Sequence, residues 1–200
     1  IIDESSVIIK KLLRLIQISC NPYLMDKFYS EIPAKFKKLD EMLNEIINQN
    51  DKAIIWTNFI ENIIILKNRY KQYKPLTIYG EIPISERALI VNKFQESNEN
   101  KIMIANPAAA REGLTLTKAN HAIYLDRSFS LIDYLQSQDR IHRISQTKKC
   151  NVYKLIAKGT IDEYVDRIID LKTDIAGFVQ NDKKEISLKS IDTLFNKQVY

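Results

Sequence analysis

Apolar residues recur along the chain with two different periods. From Ser6 to about Phe28, Val7, Ile9, Leu12, Leu13, Ile16 and Met25 predict a helix, interrupted near Asn21 and Pro22. Pro33 opens a second helix, with Phe36, Leu39, Leu43 and Ile46 on one face and Lys35, Lys37 and Lys38 outside. Ala53 to Thr57 is a short apolar, largely β-prone run, suited to a strand buried on both faces. Phe59 to Tyr70 reads as helix, Leu76 to Tyr79 as strand, and Ser85 to Phe94 as helix with Ser85 as its N-cap. Lys101–Ala105, Ala122–Leu125 and Asn151–Ala157 are further strands, with Ser130–Ile144 a helix between the last two. From Thr160 onward, Ile161, Val165, Ile168 and Ile175 carry an amphipathic helix towards Val179. The polar stretch 181–185 then predicts a surface turn before a short helix around Ile191 to Phe195. Strands alternating with helices at this spacing predict an α/β domain, a parallel sheet covered on both faces. It spans residues 33–180, with a helical lead-in over 1–32 and a helical extension over 181–200.

Composition narrows the picture only a little. Two hundred residues with 45% hydrophobic content make one domain with a real core, and four Gly and five Pro leave little room for long linkers. A net charge of +5 and a pI near 9.0 are compatible with a phosphate-backbone partner. Cys20 and Cys150 have no metal-ligand spacing, and the two His do not complete a zinc site with them. They read as core or half-buried thiols in a reducing compartment. No run approaches the roughly 18 apolar residues of a membrane span, so no membrane partner is expected, and no signal peptide is present. The sequence starts at Ile1 in mid-pattern, and is expected to be a piece of a longer polypeptide.

The stretch with the most chemistry is Tyr134–Thr147, YLQSQDRIHRISQT. On a helix, Gln136, Arg140 and Arg143 fall at i, i+4 and i+7, within roughly 60° of one another. Leu131, Tyr134, Leu135 and Ile141 point mostly the other way. Two guanidiniums aimed alike from a rigid helix can grip a multiply charged oxyanion such as a triphosphate. The competing reading is a solvated basic face. His142, on the apolar back of that helix, reads as a hydrogen-bonded core residue. Thr160 followed by Glu163 forms a capping box for the last long helix.

The pattern Q-x-x-x-R-x-x-R-x-x-Q, with D-R-x-H-R and the following Q-T-K, resembles motif VI of superfamily 2 helicases and, more narrowly, of SWI/SNF-type DNA translocase ATPases. Other stretches are similar in order and spacing: LLRLIQISCNPYL at 12–24, Trp56-Thr57-Asn58-Phe59 as motif IV, Tyr79-Gly80, Ser85-Glu86-Arg87, IANPAAAREGLTLT at 104–117 as motif V, and Lys154 to Glu163. The resemblance implies the second RecA-like lobe of such an ATPase, with helical additions at both ends. The variant motif V suggests a prokaryotic or phage-type member.

The implied roles follow residue by residue. Arg140 and Arg143 become arginine fingers for ATP held by a first lobe, and Gln136 helps position its phosphate or couples it to the DNA side. Gly113 suits a place next to nucleotide, and Thr115 stands where the family often has Asn, a ribose contact. Thr57 offers a hydroxyl and a backbone N–H to a DNA phosphate, or caps the next helix. Gly80 lets a phosphate approach the backbone, or simply turns the chain. Arg111 replaces a glycine of the family and adds a cation that can face DNA; Arg87 reads as a surface arginine before a DNA contact. Asp126 either orients Arg127 or Arg140 or is structural. No G-x-x-x-x-G-K-[ST] loop and no D-E-x-H occur in the sequence. The implied whole is therefore a two-lobe enzyme using ATP with Mg²⁺, the metal held by the N-terminal lobe, and double-stranded DNA as partner. This chain alone would be inactive. It would be cytoplasmic, nucleoid-associated in a prokaryote or nuclear in a eukaryote. The alternative is a degenerate RecA-like module that binds DNA or a protein and has lost catalysis.

Overall fold

A computed structural model describes residues 4–111 and 114–179. Its centre is a sheet ordered β2-β3-β1-β4-β5, made of β1 (Ala53–Trp56), β2 (Leu76–Ile78), β3 (Ile102–Ala105), β4 (His121–Tyr124) and β5 (Asn151–Lys154). Every pairing is parallel. The inner strands β1, β3 and β4 bury every residue, and this is why they are short continuous apolar runs without polar alternation.

Six helices complete the described chain: α1 (Glu4–Cys20), α2 (Ala34–Asn48), α3 (Ile60–Arg69), α4 (Ile84–Glu96), α5 (Leu131–Gln138) and α6 (Ile161–Val179). Because side chains alternate along a strand, Ile55 and Ile54 enter different layers. Phe36, Leu39, Leu43 and Ile46 of α2, with Ile63 and Leu66 of α3, pack around Ile55, Ile104 and Ile123. Val91 and Phe94 of α4, with Leu116 and Ile141, pack around Ile54, Met103 and Ala122 on the opposite face. Each such side chain contributes about 1.5–3 kcal/mol on leaving water. A third cluster of Ile16, Val165 and Ile169 fastens α1 to α6.

Several local expectations are corrected. Lys35 is buried rather than outside; its ammonium pairs with Asp162 at 2.6 Å and donates to the Leu125 carbonyl at 2.9 Å. Ser85 does not cap α4, which begins one residue earlier, behind Pro83, with no side-chain cap bond. Thr160 Oγ1 accepts from the Asp162 N–H at 3.2 Å, and the carboxylate reaching back is that of Asp162, accepting from the Ala157 N–H at 2.9 Å. The predicted Glu163 arm of a capping box is thus replaced by Asp162. On α1, Ile9 and Leu13 face outward while Ile16 is in the core. The turn at 181–185 and the helix around Ile191 lie outside the described residues.

Candidate functional site

The helix predicted over Ser130–Ile144 stops at Gln138. Ser130 caps its start, its side chain accepting from the Asp133 N–H at 3.3 Å. At its end, Ser137 turns its hydroxyl back onto the Tyr134 carbonyl at 2.7 Å and sits against the Tyr124 hydroxyl at 2.6 Å. Beyond Gln138 the Arg140 carbonyl accepts the Leu116 N–H at 2.9 Å, and Ile141 is fully buried in the α4-side core. A tertiary hydrogen bond and a buried isoleucine outweigh continuation of the helix. Gln136 is therefore helical, whereas Arg140 and Arg143 lie on the irregular turn that follows. The i, i+4, i+7 geometry does not exist.

The turn nevertheless brings the predicted residues together. The Arg143 Nη1 donates to the Thr115 hydroxyl at 2.8 Å, and its Nε to the Asp139 carbonyl at 3.2 Å. Thr115 is in turn fixed through its carbonyl, which accepts from the Gln95 side chain at 3.0 Å. Arg140 is buried to 7% exposure. Burial first, and then the like charge of Arg143, hold Arg140 below the ordinary arginine value, with Asp139 opposing. Two guanidiniums close enough to repel favour an oxyanion beside them. The Gln136 Oε1 is buried with no hydrogen-bond partner among the described residues. A buried carbonyl left without a donor costs about 1–3 kcal/mol. The two guanidiniums are donors suited to a phosphate oxyanion, whereas the Gln136 carbonyl, itself an acceptor, would need a different group. Gly113 and the Arg111 side chain lie outside the described residues. His142, predicted in the core, is exposed because it too sits beyond the helix end.

The DNA candidates gather elsewhere, at the carboxyl edge of the sheet. The register Trp56↔Tyr124 sets the residues that follow β1 beside those that follow β4. Asp126, after β4, accepts from the Thr57 hydroxyl and from both the N–H and the side-chain amide of Asn58, the latter two at 2.8 Å. Neither Arg127 nor Arg140 is its partner. Thr57 is fully buried, and its N–H is used by the Ala105 carbonyl at 3.1 Å. Both donors expected to reach a DNA phosphate from Thr57 are thus spent inside the fold. The next turn is held by Asn106, which donates to the Asn58 carbonyl at 3.0 Å and accepts from the Ala108 N–H at 2.9 Å.

Gly80 is exposed, and a Cβ there would meet open space. Its carbonyl accepts from Arg87 at 3.1 Å. Arg87, expected at the surface, is buried and also donates to the carbonyls of Ile82 at 2.8 Å and Ala109 at 3.3 Å. It welds the turn after β2 to the 3₁₀ turn Pro107–Arg111. Arg127 is likewise buried, paired with Asp166 of α6 at 2.5 Å and lying over the Tyr134 ring.

Arg140 and Arg143 lie apart from the turns of Thr57 and Gly80, whereas Gln136 is on α5, the helix packed against the Pro107–Arg111 turn. Thr57, Gly80 and the Pro107–Arg111 turn follow strands. The arginine turn runs back along the α4 side: Gln146 binds the Ala119 carbonyl at 2.8 Å and Lys148 pairs with Asp51, residues that precede β4 and β1. Only the first of these sets follows the carboxyl ends of strands, where ligands collect in open α/β sheets. Sequence reading missed Asn58, Asn106, Gln95 and Gln146 as organisers, and gave Asp126 a structural role without its partners. The signal for Asp126 was a lone carboxylate ending an apolar run, readable only with the strand register in hand. Among the described residues no group of three or more His, Cys, Asp or Glu is placed to hold a metal ion, and no helix is long and apolar enough to cross a membrane.

Residues 34–145 match the family described as helicase conserved C-terminal domain. The chain is 32% identical over 154 residues to the ATP-dependent helicase FUN30 of Saccharomyces cerevisiae, covering 76% of this chain and 14% of that protein. It is 33% identical over 152 residues to the chromatin-remodeling ATPase INO80 of Mycosarcoma maydis, covering 75% of this chain and 8% of that one. The chain thus spans a small part of these curated relatives. Among solved structures it resembles the Sulfolobus solfataricus SWI2/SNF2 ATPase core in complex with double-stranded DNA, with TM-score 0.73 and 30% identity over 87% of this chain and 37% of that one. The two curated relatives are eukaryotic, so they lend no support to a prokaryotic or phage-type assignment. The five-stranded parallel sheet is the RecA-like fold of those ATPases, and the chain belongs to the helicase conserved C-terminal domain family as a SWI2/SNF2-type lobe.

Proposed function

We propose that this lobe supplies arginine fingers for ATP hydrolysis in a two-lobe DNA translocase. The observation that carries the reading is the cluster of Arg140, Arg143 and Thr115, with two guanidiniums held together on a turn that the core fixes. In this reading Arg143 and Arg140 stabilise charge spread over the transferring phosphoryl group, where a positioned cation acts more on the transition state than on the ground state. Gln136 receives a donor on its buried carbonyl, and Thr115 holds Arg143 ready, with Gly113 beside the nucleotide. The sequence contains no phosphate loop and no D-E-x-H, so the cradle and the Mg²⁺ ligands belong to a first lobe. At the other end of the sheet, Gly80 and Arg111 face the backbone of double-stranded DNA. Thr57 serves that surface by fixing the turn through Asp126.

The test is turnover in the two-lobe protein at saturating ATP and saturating DNA. Arg143→Ala lowers kcat by on the order of 10³-fold while ATP and DNA binding stay within a few-fold of the parent. Arg140→Ala is comparably severe, with a larger effect on ATP affinity. Arg→Lys rescues neither, because an ammonium lacks the planar two-pronged donor. Near-normal kcat in both alanine variants under those conditions removes the reading in favour of a merely basic surface.

A further inference from the structure

The turn that bears both arginines has no helix to stiffen it, and something else must fix its shape. Its backbone is closed by the Gln146 N–H on the Arg143 carbonyl at 2.8 Å. The Gln146 side chain then does three further things. Its Nε2 donates to the Ala119 carbonyl at 2.8 Å and to the Ile141 carbonyl at 3.2 Å, and its Oε1 accepts the Lys148 N–H at 2.9 Å. Two carbonyls and one N–H around the amide leave only one assignment of its oxygen and nitrogen. Ala119 is buried just before β4 and Ile141 lies between the two arginines, so this one amide ties the turn to the sheet on either side of the arginine pair. Beside it, Lys148 pairs with Asp51, but the lysine side chain is 56% exposed and that link is a weak one.

We infer that Gln146 is the positioning residue for the arginine pair: its amide, by joining the Ala119 and Ile141 carbonyls, sets where Arg140 and Arg143 point. The inference rests on the finger reading above. Glutamate has the same shape and no donor, so a carboxylate there would face two carbonyl oxygens it cannot bind. Displacing a catalytic group by about 1 Å through a residue that never touches the reaction costs on the order of 10²-fold in rate.

The experiment compares Gln146→Glu, Gln146→Met, Lys148→Ala and Arg143→Ala in the full-length two-lobe ATPase, at saturating DNA and well below each variant's Tm. Gln146→Glu and Gln146→Met are expected to lower kcat by about tenfold to a hundredfold with the KM for ATP within about twofold. Lys148→Ala is expected to stay within about twofold in both. Amide hydrogen exchange gives a readout independent of turnover: the Leu116 N–H, bound to the Arg140 carbonyl, exchanges faster in both Gln146 variants, and the Lys148 N–H faster in Gln146→Met, while those of β1 and β3 do not change. A role confined to stability would lower Tm and leave kcat per folded molecule unchanged, and that result overturns the inference. If Arg143→Ala collapses kcat while both Gln146 variants are normal, the positioning inference fails and the finger reading survives. If Arg143→Ala is itself normal, both fail.

Discussion

At the scale of single residues, polar side chains in this lobe are more often braces than ligands. Arg87, Arg127, Lys35 and Asp126 are all buried, and each ties a loop to a neighbouring element. Charge alone gave no hint of that. An arginine in a sequence reads as surface, and only a three-dimensional ring of carbonyls, like the one around Arg87, gives it a reason to be inside. Asp126 offers the clearest test. Its carboxylate satisfies two donors of the half-buried Asn58 and the hydroxyl of the buried Thr57. Asp126→Ala strands those donors and is expected to cost about 3 kcal/mol of stability, read as a lowered urea midpoint. The loss should include DNA affinity, since the turn after β1 is what the carboxylate shapes. Arg127→Ala is expected to destabilise by a similar amount, because it leaves Asp166 to Lys154 alone and opens the seam to α6.

At the scale of elements, existence and type were legible and endings were not. Four of the five strands lie within the predicted runs and β4 starts one residue before its own, since continuous β-prone apolar segments have few alternatives when flanked by helices. The end of α5 was invisible because nothing in its own sequence stops it: no Gly or Pro follows Gln138 until well beyond the turn. What stops it is Leu116, some twenty residues earlier in the chain, through its N–H on Arg140. Capping by Asp162 was hidden in the same way, since its partners Ser19 and Lys35 come from α1 and α2. The amino ends of β1 and β4 carry a prediction of their own. Burial alone would raise the Asp51 carboxyl, yet hydrogen bonds from Asn120, Lys148 and His121 outweigh it and bring the pKa down to about 2. A carboxyl depressed in the folded state contributes stability that is full above its unfolded value, near 4, and disappears as pH falls through about 2. Asp51→Asn is therefore expected to be less stable than the parent by about 2 kcal/mol at pH 7, with the gap closing between about pH 4 and pH 2. Chemical denaturation at a series of pH values checks it, and a gap that persists unchanged at pH 2 contradicts it.

At the scale of the whole molecule, the arginine turn lies along the α4 side towards the amino ends, and the turns of Thr57, Gly80 and Pro107–Arg111 follow the carboxyl ends of the strands. On the proposed reading this placement lets the lobe touch nucleotide and DNA at once without either crowding the other. This separation has measurable consequences for the 200-residue chain alone. On the proposed reading it supplies arginine fingers, and its sequence contains no phosphate loop, so it is expected to show no DNA-stimulated ATP hydrolysis; robust turnover abolished by Arg143→Ala would break the half-site reading. On the same reading the contacts go to phosphates rather than to base edges, so DNA binding is expected to be weak, indifferent to sequence and steeply dependent on salt. Each phosphate contact contributes a slope of about −0.9 in the logarithm of affinity against the logarithm of salt. Arg111→Ala should then reduce the slope by about one contact on any duplex, whereas Arg143→Ala, at the other end of the sheet, should leave it unchanged. Fluorescence anisotropy on two unrelated duplexes across a salt series separates these outcomes. Were Arg143→Ala to flatten the slope as much as Arg111→Ala, the arginine turn would be part of the DNA surface, and a module that binds DNA without catalysis would describe this lobe better than half of an ATPase.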